Sequence, residues 1–424
     1  MRVAASLITL NALTHGAGMG DWKQKADDRI ERHRKGDFVV RIGAEPAGTA
    51  VSARLVRHHF RFGMCIGGDP ASAGPDQQRY FRFIAENFNT LVCENDMKWY
   101  ATERQRGQVN YDRADALMAF AEKHEMAMRG HCLFWSKPKF VQPWVQELDD
   151  AALRVHVESR LESVVKRYKG RLIAWDVNNE MLDGSFFKDR LGDDIRAWMF
   201  RRARELDPHV PLHVNEYGIL GSDEKTGQYI DLIRSLQDRG AVGGIGVQEH
   251  AAERFVPVRG PATAEAFDER KGGDVLVPDE VWGRLDRLAE LRLPIHLTEI
   301  SSKTPDPLRR ADTLEMLFRV GFAHPSVEAI LLWGFWEKRH WLGPEAALVD
   351  AQWNLLPAGQ RVLDLMHREW TTHAQARTDA RGTIRFRGFF GRYELELTRP
   401  DGTKRRAVVE LRPGALEADA VLNP

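Results

Sequence analysis

The sequence predicts an α/β fold: a (β/α)8 (TIM) barrel with a small β module formed from its N- and C-terminal flanks. Three observations predict it. Eight apolar, strand-like runs recur between residues 57 and 336, with amphipathic stretches between them. No Gly-rich phosphate turn follows an early strand, which argues against the doubly wound open sheet that the same alternation allows. The 424 residues, 43% of them hydrophobic, are long for one ordinary domain and ample for a large barrel with an appendage.

The elements follow in order. Residues 1–20, "MRVAASLITLNALTHGAGMG", combine Arg2, a short apolar stretch and small residues near Ala17. Read as a signal peptide, they make the protein secreted or periplasmic. Asn11 and His15 interrupt the apolar stretch, so the other reading is a disordered start and a cytoplasmic protein. Residues 21–56 read as a charged helix and then a β-hairpin, with Pro46 and Gly48 in the turn. The barrel is expected over 57–372. Its strands are "RHHFRFGMCIG" (57–67), "FNTLVCEN" (88–95), "MAMRGHCLFW" (126–135) and "LIAWDVNNE" (172–180), then "PLHVNEY" (211–217), "GIGVQEH" (244–250), "LPIHLTEI" (293–300) and "VEAILLWGFW" (327–336).

Helical spacing separates them. Ala114, Leu117, Met118 and Ala121 share one face of 111–125, and the stretch 151–170 closes on Gly170, a helix stop. The segment 251–278 is long and charged. It reads as a solvated insertion, or as a wall at one end of a cleft. Within 373–424, residues 383–414 alternate apolar and polar around a Pro400-Asp401-Gly402 turn. This C-terminal β-strand module is expected to meet the N-terminal flank and tie the termini down, with carbohydrate binding as its other reading.

Composition excludes several classes. Lys+Arg and Asp+Glu are equal at 61 each, so no net field draws nucleic acid or an anionic membrane. No run of 18 apolar residues predicts a membrane span. Cys65, Cys93 and Cys132 form no C-x-x-C pair and read as buried free thiols. The 12 tryptophans include flat faces suited to stacking on sugars, although most tryptophans are core.

In such a barrel the chemistry sits where strands end. Those ends carry Glu94, Asn95, Lys98 and Trp99, then His131 and Trp135, Asn179 and Glu180, and Asn215, Glu216 and Tyr217. Gln248 and His250, Glu299, Trp333 and, beyond it, Trp341 follow. A lone His or Trp there is more often structural. Polar residues at the same end of seven strands are not, because each buried polar group needs a partner. Two carboxylates across a dry cleft fit glycoside cleavage: one donates a proton to the leaving oxygen, and the other attacks the anomeric carbon. His131, His250 and Glu299 as metal ligands would be the competing class. No metal-binding spacing supports it, and the two-acid chemistry needs neither metal nor cofactor.

In order, "ENDMKW" (94–99), "RGHCLFW" (129–135), "WDVNNE" (175–180), "NEYG" (215–218), "GIGVQEH" (244–250), "LTEI" (297–300) and "LLWGF" (331–335) resemble the motifs of glycoside hydrolase family 10, over roughly residues 55–370. The typical member of that family is an endo-1,4-β-xylanase on a (β/α)8 barrel. The resemblance implies a retaining hydrolase of β-1,4-xylosidic bonds, with Glu180 as acid/base and Glu299 as nucleophile. It also implies substrate contacts. Asn179 would bind the 2-hydroxyl, and His250 would orient Glu299. His131, Trp135 and Gln248 would line the subsite of the cleaved sugar, and Glu94, Asn95 and Lys98 that of the next. Trp333 and Trp341 would form an apolar platform, with Tyr217 on the leaving-group side. The expected partner is xylan or a xylo-oligosaccharide, bound by a monomer in endo mode. An exo-acting or aryl-β-xyloside hydrolase and a silent glycan-binding barrel are the other readings. Three residues depart from the family pattern: Ser301 stands where Asp pairs with the histidine at 250, Ser136 where His is usual, and Glu216 where Asp is usual. The loss at 301 is expected to make His250 less basic.

Overall fold

The computed structural model describes residues 21–240, 242–255 and 278–422. The signal-peptide reading of 1–20 lies outside the described residues. So does the cleft-wall reading of 251–278, apart from the ends of that segment.

Strands β1 (Lys35–Arg41) and β2 (Ala50–His58) precede the barrel. The barrel strands are β3 (Arg61–Ile66), β4 (Thr90–Cys93), β5 (Ala127–Gly130), β7 (Ala174–Asn179), β8 (Leu212–Tyr217), β9 (Gly244–Glu249), β10 (Ile295–Ile300) and β11 (Val327–Leu332), with a short β6 (Phe134–Trp135) beside β7. Each of the eight is parallel to its neighbours, and β5 pairs with β7 to close the ring. Helices between the strands bury their apolar faces against it. The helix Asp112–Lys123 buries Ala114, Leu117, Met118 and Ala121, the positions its spacing predicts. The predicted third strand, 126–135, is two pieces. Residues 127–130 pair with β4 and β7, and the chain then returns at Phe134–Trp135 against Asn178–Asn179, farther along β7.

The flanks pair with one another. After the helix Asp21–His33, β1 lies between β13 (Thr383–Phe389) and β16 (Glu417–Asp419). Strand β2 lies between β12 (His373–Arg377) and β14 (Gly391–Thr398), in a sheet continued by β15 (Lys404–Leu411) and β17 (Val421–Leu422). The hairpin expected within 21–56 therefore does not form. Strands β1 and β2 sit in different sheets, because each finds C-terminal partners on both edges where a two-stranded hairpin would leave one edge bare. Period two decides the buried face: Val51, Ala53 and Leu55 meet Tyr393, Leu395 and Leu397.

Arg34 fastens this module to the barrel where β11 begins. Its guanidinium donates to the carbonyls of Phe322, His324 and Val327 at 2.6, 2.6 and 2.7 Å. Burial pushes its pKa down to about 10, which leaves it cationic at neutral pH. Arg34→Met is expected to lower stability by roughly 3 kcal/mol, since three carbonyls lose a charged donor. A urea midpoint that falls at unchanged m-value checks it.

The barrel interior is divided. On one side Cys65, Val92, Ala329, Leu331 and Trp333 form an apolar cluster. On the other, fully buried Arg129 pairs with Asp176 through two nitrogens and donates to Nδ1 of His296 at 2.8 Å and of His213 at 3.3 Å. Burial and the Arg129 charge depress both histidines, His296 to about 4, so they accept as neutral rings. Glycines make the room. A Cβ on Gly244 would lie 2.1 Å from the His213 ring, and one on Gly246 would lie 2.3 Å from Asn215 Oδ1. All three cysteines are buried and free.

Candidate active site

Two β-bulges aim the polar end of the barrel. On β7 the register shifts between Asp176 and Asn179, and on β10 between Leu297 and Glu299. Strict alternation would send Asn179 and Glu299 outward, since Asp176 and Thr298 already face the interior. The bulges turn both inward. Consecutive residues of β10 then reach one side chain: Thr298 Oγ1 donates to Asn215 Oδ1 at 2.6 Å, and Glu299 Oε1 accepts from Asn215 Nδ2 at 2.8 Å. The same Nδ2 donates to Asn179 Oδ1 at 2.9 Å, and Gln248 Nε2 donates to that oxygen at 3.2 Å.

Glu299 is 5% exposed and fully ionised at neutral pH. Burial raises its pKa. The imidazoles of His131 and His250 and the Lys98 ammonium outweigh burial and hold it down to about 2. His250 Nε2 lies 3.2 Å from Glu299 Oε2, and its Nδ1 lies 3.5 Å from Ser301 Oγ, so the serine replaces a charged partner with a long neutral contact. His131 Nδ1 lies 2.9 Å from Asp176 Oδ2 and 3.9 Å from Glu299 Oε1.

Glu180 follows Asn179 and has φ +57°, a left-handed backbone that a non-glycine residue adopts at a cost of about 1 kcal/mol or more. That turn ends β7 and frees its carboxylate from the strand's alternation. Oε2 accepts from Trp135 Nε1 at 3.0 Å and meets Lys137 Nζ at 3.0 Å. Beneath it, Glu216 accepts from the backbone N–H of Leu182 at 2.9 Å and of Tyr217 at 3.1 Å. Burial, with help from the Glu180 charge, nevertheless pushes Glu216 up to about 8. Ser136, the third departure, donates to Asn178 Oδ1 at 2.5 Å on the outer side of the β7 bulge.

The remaining predicted residues join this cluster. Lys98 Nζ lies 4.5 Å from the Trp135 ring centroid and 5.9 Å from that of Trp333, and it donates to Asn95 Oδ1 at 3.2 Å. Glu94 is raised by burial and drawn back by the charges of Lys98 and Arg339. Trp333 packs edge-on to His131 at 5.2 Å, and Trp341, half exposed, packs against His250 at 4.8 Å. Tyr217 connects to Glu180 through Lys137, which donates to its hydroxyl at 3.3 Å.

The sequence reading passed over Lys137, and over the structural parts played by Asn215, Asp176 and Arg129. Asn215 carried a signal: it lies two residues past His213, opposite the Gly244-x-Gly246 spacing that leaves room for both. Lys137 carried none, since it sits in an aperiodic loop.

The family model for Glycosyl hydrolase family 10 matches residues 52–365. Among curated relatives, "Anti-sigma-I factor RsgI6" of Acetivibrio thermocellus is 39% identical over 399 residues, covering 93% of this chain and 49% of that one. "Endo-1,4-beta-xylanase 1" of Arabidopsis thaliana is 36% identical over 384 residues, covering 89% of this chain and 38% of that one. The chain thus spans half or less of the length of these relatives. Among solved structures, xylanase 10B from Thermotoga petrophila in complex with xylobiose superposes with a TM-score of 0.63 at 26% identity, covering 73% of this chain and 95% of that one.

Proposed function

The chain belongs to glycosyl hydrolase family 10, and we propose that it hydrolyses β-1,4-xylosidic bonds of xylan with retention and in endo mode. The observation that carries the reading is an ionised, buried Glu299 hydrogen-bonded through Asn215 to Asn179, the residue next in the chain to Glu180. In the first step a Glu299 oxygen attacks the anomeric carbon. The glycosidic C–O bond breaks, and the Glu180 proton passes to the leaving oxygen. In the second step Glu180 takes a proton from water, whose oxygen attacks the anomeric carbon and displaces Glu299. Asn179, bridged to both Asn215 and Gln248, has its carbonyl oxygen fixed, which leaves its amide nitrogen to donate to the sugar. Trp135, Trp333 and Trp341 supply ring faces, and Glu94, Asn95 and Lys98 supply polar contacts for the next sugar.

The name of one relative is that of a regulator, and a barrel that only binds glycans is the second reading. Retention of both carboxylates at the same end of the barrel, one just past β7 and one on β10, favours catalysis. Product analysis on unsubstituted xylan tests the proposal. Mixed oligomers are expected early. Xylose alone would mean exo attack, and no products at all would favour the binding protein.

A further inference from the structure

We propose that Lys137 is a positioning residue that sets the balance between the two duties of Glu180, a role resting on the reading of Glu180 as the acid/base. Among the described residues, Lys137 supplies the cationic nitrogen within ion-pair distance of Glu180, at 3.0 Å from Oε2. It is held there. Its ammonium donates to the Tyr217 hydroxyl at 3.3 Å and lies 4.3 Å from the centre of that ring. The Tyr217 hydroxyl in turn donates to Asp183, and Lys225 pairs with Asp183 at 3.5 Å while lying 3.7 Å from the ring centroid. The Lys137 and Glu180 side chains are 19% and 10% exposed, so solvent screens the pair only in part.

The geometry divides the carboxyl group. Trp135 Nε1 and Lys137 Nζ both point at Oε2. A proton on Oε2 would face two donors, so the transferable proton sits on Oε1, the oxygen that meets the leaving group. In the first step that proton moves from Oε1 to the glycosidic oxygen, and Lys137 stabilises the carboxylate left behind. In the second step the same charge keeps Glu180 ionised, the form that must take a proton from water. Lys137 therefore opposes keeping the acid charged with its proton before the first step and holds it in the ionised form that the second step needs.

The other charged groups facing Glu180 do not cancel this. Glu216, under it on β8, is pushed toward its neutral form by burial. Lys225 is balanced by Asp183. Glu299 on β10 has the Lys98 ammonium beside it as a counter-charge.

The test compares the pH dependence of kcat/KM on a xylo-oligosaccharide for the wild type, K137M and K137R. The K137M alkaline limb is expected to move up by about one pH unit, the lower end of the effect of an adjacent opposite charge, while K137R stays close to wild type. With a dinitrophenyl xyloside, whose second step limits turnover, the acid limb of kcat is expected to move up by a similar amount in K137M, because that step needs Glu180 ionised. A merely structural lysine would change kcat or KM and leave the limb in place. A K137M limb that superimposes on the wild type's, or moves down, overturns the proposal. Azide rescue of E180A separates the two failures. If rescue occurs and the limb stays, only the role of Lys137 is wrong. If rescue fails, the acid/base reading beneath it fails.

Discussion

Glu299→Ala is expected to lower xylan hydrolysis by roughly 10⁴-fold or more, the scale on which removing a nucleophile acts, while xylo-oligosaccharide binding persists. The reason is local. The carboxylate is the attacking group, whereas the binding contacts come from Asn179, Gln248, Lys98 and the tryptophans on other strands. The variant keeps the β10 bulge, because Thr298 still donates to Asn215. Calorimetric titration with a xylo-oligosaccharide, beside a reducing-sugar assay, separates the two effects. Loss of binding together with activity would make Glu299 a structural carboxylate. The wild type should also keep its activity in a strong chelator, since both reacting acids belong to the chain.

The substitution also has a pH signature. The folded value of Glu299 is held near 2 against an ordinary 4.5. Its charge therefore adds stability above pH 4.5, and that contribution is lost as pH falls through 2. Between those values the alanine variant should lose stability less steeply than the wild type.

Much of this was legible in the chain. Eight apolar runs alternating with amphipathic ones specify the barrel, because a parallel strand buried on both faces is continuously apolar and its crossover helix is not. Polar residues closing those runs marked the site's end of the barrel, Glu180 and Glu299 among them. The bulges were not legible. A period-two reading puts Thr298 and Glu299 on opposite faces, and only the register against β9 shows both reaching Asn215. The pairing of the flanks was only half legible. Alternation identified β1, β2, β14 and β15 as strands, but a Pro/Gly turn looks the same whether it closes a hairpin or passes the chain from one sheet to another. The interior cluster of Arg129, Asp176, His213 and His296 was hidden because its members are scattered along the chain, Arg129 lying 47 residues from Asp176, 84 from His213 and 167 from His296. Single polar residues in apolar strands give no sign of which others they meet.

Glu180→Ala should separate the two steps. With a dinitrophenyl leaving group, which departs without a proton, the first step should stay close to the wild-type rate. The second step should slow by about 10²–10⁴-fold, the worth of a positioned general base. Azide should then restore turnover, because it needs no deprotonation to attack. The product should be a xylosyl azide of the same anomeric configuration as the substrate, since attack on the glycosyl-enzyme inverts a centre already inverted once. On xylan itself azide should not help, because the poor leaving group still lacks its acid in the first step. The vacated space suits the anion. Removing the carboxylate uncovers Lys137 Nζ and Trp135 Nε1, both of which had pointed at Oε2. A cation and an N–H donor then face the pocket, and the left-handed backbone at 180, no harder for alanine than for glutamate, keeps it open. A rate indifferent to azide, with no azide adduct by mass spectrometry, would remove Glu180 from the mechanism and leave Glu216, whose raised pKa makes it a proton donor near neutrality, as the carboxyl to test next.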